Sequence, residues 1–186
     1  DQLLKIASSI DASTNSKKLA TASPLAQGKK HVAKGQQSTT GYYATNVPCG
    51  HQELINFINM EAPSSDLFDR VEEVFNDHHQ IKYYAMSFRK PVSDREWRVS
   101  IITKKIDNET IVKVCVPCFI ESKERNVHPD RVRAEVRSMY RLTKISDITT
   151  RVEFYAQLEF GGYAPRWIIN RELPKFMSAP TKWQEY

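Results

Sequence analysis

The sequence predicts an α+β domain in which an antiparallel sheet of six or more strands is interrupted by one or two short helices and closed by an amphipathic C-terminal helix. Two observations carry this prediction. From Gln80 onward, runs rich in β-branched and aromatic residues are separated by turn material such as Lys90-Pro91 and Asp107-Asn108. After Gly161-Gly162 the apolar period changes to that of a helix, with Ile169, Leu173, Phe176 and Met177 on one face.

Taken in order, residues 1–10 place Leu3, Leu4, Ile6, Ala7 and Ile10 at helical spacing, and residues 13–16 break the pattern, so a short amphipathic helix is expected. Residues 17–48 alternate small, basic and β-branched types around Pro24, Gly28, Gly35 and Gly41, which suits two or three strands, the clearest over 39–47. Pro48-Cys49-Gly50 stops the strand. Leu54, Phe57 and Ile58 then give one apolar face to a helix over 51–60. Phe68, Val71, Val74 and Phe75 fit helix and strand equally. Beyond them strands are expected over 81–88, 96–104, 110–119, 131–140, 141–145 and 150–160. Trp97, Val99, Ile101 and Thr103 share one strand face, as do Val152, Phe154, Ala156, Leu158 and Phe160, the pattern of one-sided antiparallel strands. Pro165 suits a first helical turn. Pro174 should kink the terminal helix, because proline lacks the backbone donor and crowds the preceding turn.

With 186 residues, 40% hydrophobic and 26% charged, the chain has the size and composition of one globular domain over residues 1–186, and two full domains are not expected. No apolar run reaches the roughly 18 residues a membrane-spanning helix needs. The sequence starts at Asp1 without a signal peptide, so a piece of a longer polypeptide is expected. Three cysteines make no disulfide framework and favour a reducing compartment. The formal charge of +5 favours phosphate-bearing partners, nucleic acid or anionic lipid alike.

Cys115 and Cys118 stand at C-x-x-C spacing, but residues three apart on a strand point to opposite faces, so buried structural thiols are expected rather than a zinc or redox pair. His78 and His79 read as a turn and not as metal ligands. No nucleophile-elbow or phosphate-loop pattern occurs, so no catalytic residue is assigned. Arg89, Lys90, Arg95 and Arg98, with Arg131, Arg133, Arg137, Arg141 and Lys144, form two basic clusters. The expectation is a solvated sheet face balanced by Asp94, Glu96, Asp130 and Glu135, in preference to a stacking surface for single-stranded nucleic acid.

Four stretches, in order, resemble the START family of steroidogenic-acute-regulatory-related lipid-transfer domains. They are Pro91-Val92-Ser93-Asp94-Arg95-Glu96-Trp97; His128-Pro129 with Val132-Arg133-Ala134-Glu135; Thr150-Arg151-Val152-Glu153-Phe154; and Gly161-Gly162-Tyr163-Ala164-Pro165-Arg166-Trp167-Ile168-Ile169-Asn170. The resemblance covers about residues 80–180. It implies a helix-grip fold, a curved antiparallel sheet around a long C-terminal helix, with an internal tunnel for one lipid. Residues 120–130 match the family's lid, which places Val127, His128 and Pro129 over the tunnel.

Resemblance and strand alternation together nominate Tyr83, Trp97, Val99, Ile101, Arg133, Glu135, Phe154, Tyr155, Ile169, Leu173, Phe176 and Met177 as tunnel candidates; for the set Tyr83, Tyr84, Tyr140 and Tyr155, ordinary core is preferred over an aromatic headgroup cage. Two departures stand out. Phe68-Asp69 replaces the family's Trp-Asp pair, and Ile101 stands where sterol-binding members carry an arginine. The implied function is non-enzymatic binding and transfer of a phospholipid, sterol or related lipid by a monomeric, cytoplasmic domain that touches membranes transiently. No cofactor, metal or nucleic-acid partner is expected. The alternatives are a cyclase- or hydrolase-like helix-grip enzyme and a lipid-sensing regulatory module of a multidomain protein.

Overall fold

The computed structural model describes residues 17–18, 27–32, 38–60, 67–88, 92–118 and 130–185. The expected helix over 1–10 lies outside the described residues, as do Val127, His128 and Pro129. Among the described residues ten strands form one sheet: β1 (Lys17–Lys18), β2 (Gln27–Val32), β3 (Ser38–Val47), β4 (Leu67–Asn76), β5 (His79–Met86), β6 (Arg95–Lys105), β7 (Thr110–Pro117), β8 (Val132–Arg133), β9 (Glu135–Ser146) and β10 (Thr149–Glu159). Helix α1 (His51–Met60) follows β3, and α2 (Arg166–Met177) runs into a 3-10 stretch, Ala179–Glu185.

The sheet order is β1-β2-β3-β10-β9-β7-β6-β5-β4, and β8 pairs with β6. Every pairing is antiparallel except β6 with β8. Strand β10 is the spine, bonded along its length to β9 on one side and β3 on the other.

One face of the sheet carries both helices. Leu54, Ile55 and Ile58 of α1 pack with Ile111, Leu142 and Val152, and each such side chain taken from water contributes about 1.5–3 kcal/mol. Trp183, from the 3-10 stretch, completes this cluster. Met177 of α2 packs with Tyr43, Phe154 and Leu158. Gly41 makes the close approach possible, because a Cβ there would stand 2.8 Å from Met177 Sδ. The loop into α1 is tied down by the Thr150 hydroxyl, which donates to the Cys49 carbonyl at 2.7 Å in a buried bond.

Several elements differ from expectation. The ambiguous segment around Phe68 is strand β4, because its residues pair with β5 from Leu67 to Asn76. Residues 135–146 are one strand, not two: β9 pairs without interruption through Tyr140 and Arg141. Its break falls earlier, at Ala134, whose N–H leaves the β9 ladder to reach the Glu96 carbonyl at 2.9 Å. The C-terminal helix is shorter than expected, 12 residues, and ends three residues past Pro174.

Gly161 and Gly162 end β10 with φ of 61° and 50°. A Cβ on Gly161 would stand 1.9 Å from the Arg133 carbonyl oxygen, so this turn lies directly on β8. Gly161→Ala is therefore expected to cost more than the about 1–3 kcal/mol of left-handed strain alone. Gly162→Ala, whose Cβ meets the Val132 side chain, Cγ1 at 3.1 Å and Cγ2 at 3.7 Å, and no backbone atom as close as at Gly161, should cost less. Urea unfolding of the two variants beside the parent chain measures the difference.

Candidate functional site

Cross-strand rows show what the helix-covered face presents. One row runs Gln80, Ile101, Cys115, Ser138, Ala156, Gly41; the next runs Thr103, Lys113, Tyr140, Phe154, Tyr43. Residues in register share a face, so Lys82, opposite Val99, joins them one step away. The principal contacts of α1 fall on β7, β9 and β10, and those of α2 and the 3-10 stretch on β3. The β5–β6–β7 part of the face lies beside these helices.

Aromatic rings line the helix-covered face from β5 across to β10 and α2. Trp97 stacks on Tyr84 at 5.8 Å, Tyr140 stacks on Phe154 at 4.1 Å, and Phe154 meets Phe176 at 5.6 Å. Tyr84, Trp97, Tyr140, Phe160 and Phe176 all remain half-buried although they face the helix side. Cys115 shows the same duality. Burial pushes its thiol up to about 11, against weaker opposing effects of Ser138, Lys113 and Lys82, yet the side chain keeps accessible surface. Lys113 Nζ donates to the Ile58 carbonyl at 3.3 Å, placing a positive charge at the negative end of α1.

The opposite face holds a different set. Tyr83 donates to Glu96 Oε2 at 2.7 Å and accepts from Arg131 at 3.0 Å. Burial and then the Glu96 carboxylate raise the Tyr83 pKa. Tyr155 packs with Tyr42, Ala44 and Met139, and Val112, Val114 and Val116 flank them. Arg137 bonds Glu135 at 2.8 Å and Glu159 at 3.3 Å.

Of the residues nominated from sequence, Trp97, Val99, Ile101, Phe154, Phe176 and Met177 come together on the helix-covered face. Tyr83, Tyr155 and Glu135 lie on the other. Arg133 is exposed and donates to the Cys118 carbonyl at 3.4 Å. Ile169 and Leu173 fall within α2, with side chains outside the described residues. Sequence reasoning passed over Lys82, Lys113, Ser138 and Asn59. The signal for Lys113 was a lone cation at an inward position of an otherwise apolar strand, 110–117.

No family model and no curated protein sequence matches the chain. Solved structures do. The human StarD13 (DLC2) lipid transfer and protein localization domain superposes with a TM-score of 0.74 at 15% identity, covering 99% of this chain and 94% of that one. Human StAR-related lipid transfer protein 5 gives 0.76 at 11%, covering 99% and 93%. A STAR-related lipid transfer protein fragment from Xanthomonas axonopodis gives 0.72 at 14%, covering 89% and 94%. The chain has the START fold.

Within this START fold the residues that carried the sequence resemblance are joints. Arg95, expected on a solvated face, is 1% exposed. Its guanidinium donates to the carbonyls of Phe160 at 2.8 Å, Tyr163 at 3.3 Å and Ser93, and it lies 5.9 Å from the Phe88 ring centroid. Burial lowers its pKa. The expectation failed because a fork of five donors can meet backbone carbonyls inside a protein without a carboxylate partner. Glu96 is also buried, satisfied by Tyr83. Asp94 holds the β5–β6 connection through the Phe88 N–H at 2.9 Å and the Ser87 hydroxyl at 3.2 Å.

Arg95→Met takes the donor from three part-buried carbonyl bonds and should cost about 2 kcal/mol in urea unfolding, with faster amide exchange over 160–168; Arg95→Lys, lacking the fork, should recover only part. Alkaline pH gives a separate test. Burial, then Glu153, raises Tyr42 from 10.0 to about 12. The unfolded chain loses that proton near pH 10 while the folded chain keeps it. The resulting stability is complete below pH 10 and declines up to about pH 12, by no more than about 3 kcal/mol. Unfolding curves between pH 9 and 12 should show this slope, and Tyr42→Phe should reduce it.

Proposed function

We propose that the chain binds one lipid between the β5–β6–β7 part of the sheet and the helices, and carries it between membranes without chemical change. The observation that supports this is the partial exposure of ring and thiol side chains that point inward. Tyr84, Trp97 and Cys115 stand on the helix-covered face of the sheet and Phe176 on α2, and all four keep accessible surface. Rings stacked around accessible space suit an apolar ligand. Trp97, Val99, Ile101, Phe154, Phe176 and Met177 are the proposed lining. Each methylene of an acyl chain moved from water into such a lining contributes about 0.8 kcal/mol.

The fold it shares with StAR-related lipid transfer proteins agrees with this reading. The net charge of +5 favours loading at an anionic membrane surface. No helix among the described residues is long and apolar enough to cross a membrane.

Two measurements test the proposal. Native mass spectrometry of the purified chain should find a single bound lipid, and the chain should accelerate lipid exchange between donor and acceptor vesicles. In a Cys49→Ser, Cys118→Ser background, Cys115 reports on the space itself. Its raised pKa makes alkylation slow at pH 8, and lipid loading should slow it at least several-fold further. An unchanged alkylation rate in a chain shown to hold lipid would place the ligand elsewhere.

A further inference from the structure

Two kinds of packing meet on the helix-covered face. Under α1 the side chains are closed: Val47, Leu54, Ile55, Leu142, Val152 and Trp183 share one cluster, and none of them is more than 2% exposed. Toward β6 and α2 they are open. There Trp97, Tyr140, Phe160 and Phe176 pack against a second cluster, which includes Phe154 and Met177, and stay half-buried. Tyr140 touches both clusters. Its ring stacks on Phe154 at 4.1 Å and meets the Trp183 indole at 5.6 Å, with the planes inclined by 49°. The border between filled and accessible packing therefore runs along the Tyr140–Trp183 pair.

Trp183 reaches this border from the C-terminal 3-10 stretch, and an independent set of bonds holds it there. The Thr181 and Tyr43 hydroxyls bond each other, and the Gln184 side-chain amide donates to the Thr45 hydroxyl and, at 3.4 Å, to the Asn46 carbonyl. Positions on both sides of Trp183 in sequence are thus tied to β3. A close-packed indole anchored on both sides has no room to turn away from a pressure on Tyr140.

We infer that Tyr140 is the inner wall of the proposed lipid space and that Trp183 is the positioning residue behind it, so that the bulk of Trp183 sets how long an apolar tail the chain accepts. This inference rests on the proposed lipid-binding function and deepens it to a length limit. A tail lying along Trp97, Phe176 and Phe154 ends at Tyr140. To run further it must drive that ring into Trp183, and a cluster already filled answers extra volume with strain. A smaller side chain at position 183 leaves an apolar cavity beside Tyr140, and such a cavity stays dry and takes an apolar guest.

The experiment offers the full chain to vesicles containing an equimolar series of saturated phosphatidylcholines of graded chain length, and in a separate arm to the corresponding free fatty acids, and counts the bound species by mass spectrometry. The parent chain should show an upper limit of length among the lipids it takes up. Trp183→Leu should raise that limit by about two carbons or more, as its cavity admits further methylenes. Trp183→Phe keeps a ring and most of the packing, should raise it less, and decides the question where Trp183→Leu does not fold. Slower desorption of long chains affects parent and variants alike, so the shift between them is the readout.

Met139→Ala is the control for general loosening. Met139 is 3% exposed and packs with Tyr42 and Tyr155 on the opposite face, so its loss should lower the melting temperature and leave the length limit in place. A limit that moves with position 183 and not with position 139 supports the inference. A parent that takes up every length alike, a limit unmoved in position-183 variants that melt cooperatively and hold lipid, or an equal shift in Met139→Ala overturns it while leaving lipid binding intact. A parent chain that takes up no lipid in either arm overturns both.

Discussion

The geometry of this domain depends on one buried guanidinium. Arg95 sits where four pieces of chain converge: the start of β6, the end of β10, the β8 strand and the glycine turn that launches α2. Its donors satisfy backbone carbonyls that no strand partner reaches, and the Gly161 turn rests against the backbone of Arg133 because it has no side chain to hold it off. The position of α2 over the sheet is set by this junction before any contact along the helix is made. A neutral side chain of the same length could fill the space but would not supply the donors.

Two populations of residues follow from this arrangement. Arg95, Asp94, Gly161 and Gly162 fix the path of the chain, and they belong to the stretches through which the sequence resembles the START family. Most of the proposed lining, Val99, Ile101, Phe176 and Met177, lies outside those stretches, as do Tyr84 and Cys115 on inward positions of β5 and β7. Positions that hold the backbone are constrained by its geometry, which is shared across the fold. This accounts for a superposition over 99% of the chain at 11–15% identity.

The legibility of the sequence follows the same division. Strand alternation gave the positions of β5, β6, β7 and β10 to within a few residues, and the period of Leu54 and Ile58 gave α1, because one-sided burial writes itself into the order of residues. The segment around Phe68 was not legible, since an edge strand makes half its pairing bonds and needs no strict alternation. The face taken by Tyr83 and Tyr155 was hidden for another reason. Both faces of this sheet bury apolar side chains, as Tyr42, Met139 and Val114 show on the face away from the helices, so hydrophobicity alone does not name the inward side. Arg95 was misread because charge predicts exposure only when no set of carbonyls is arranged to receive it.

The central pairing of β3 with β10 has a consequence for how the protein is made. Tyr42 and Glu153, bonded across this pair, are 111 positions apart in the chain. During synthesis at about 5–20 residues per second, β3 waits on the order of 5–20 s for the strand that will flank it. Its tyrosines and the apolar side of α1 are on offer throughout that interval, with β9 and β10 still unmade. Closing so long a loop late is slow, and the newborn chain is at its most adhesive in the seconds before the last strand emerges from the ribosome.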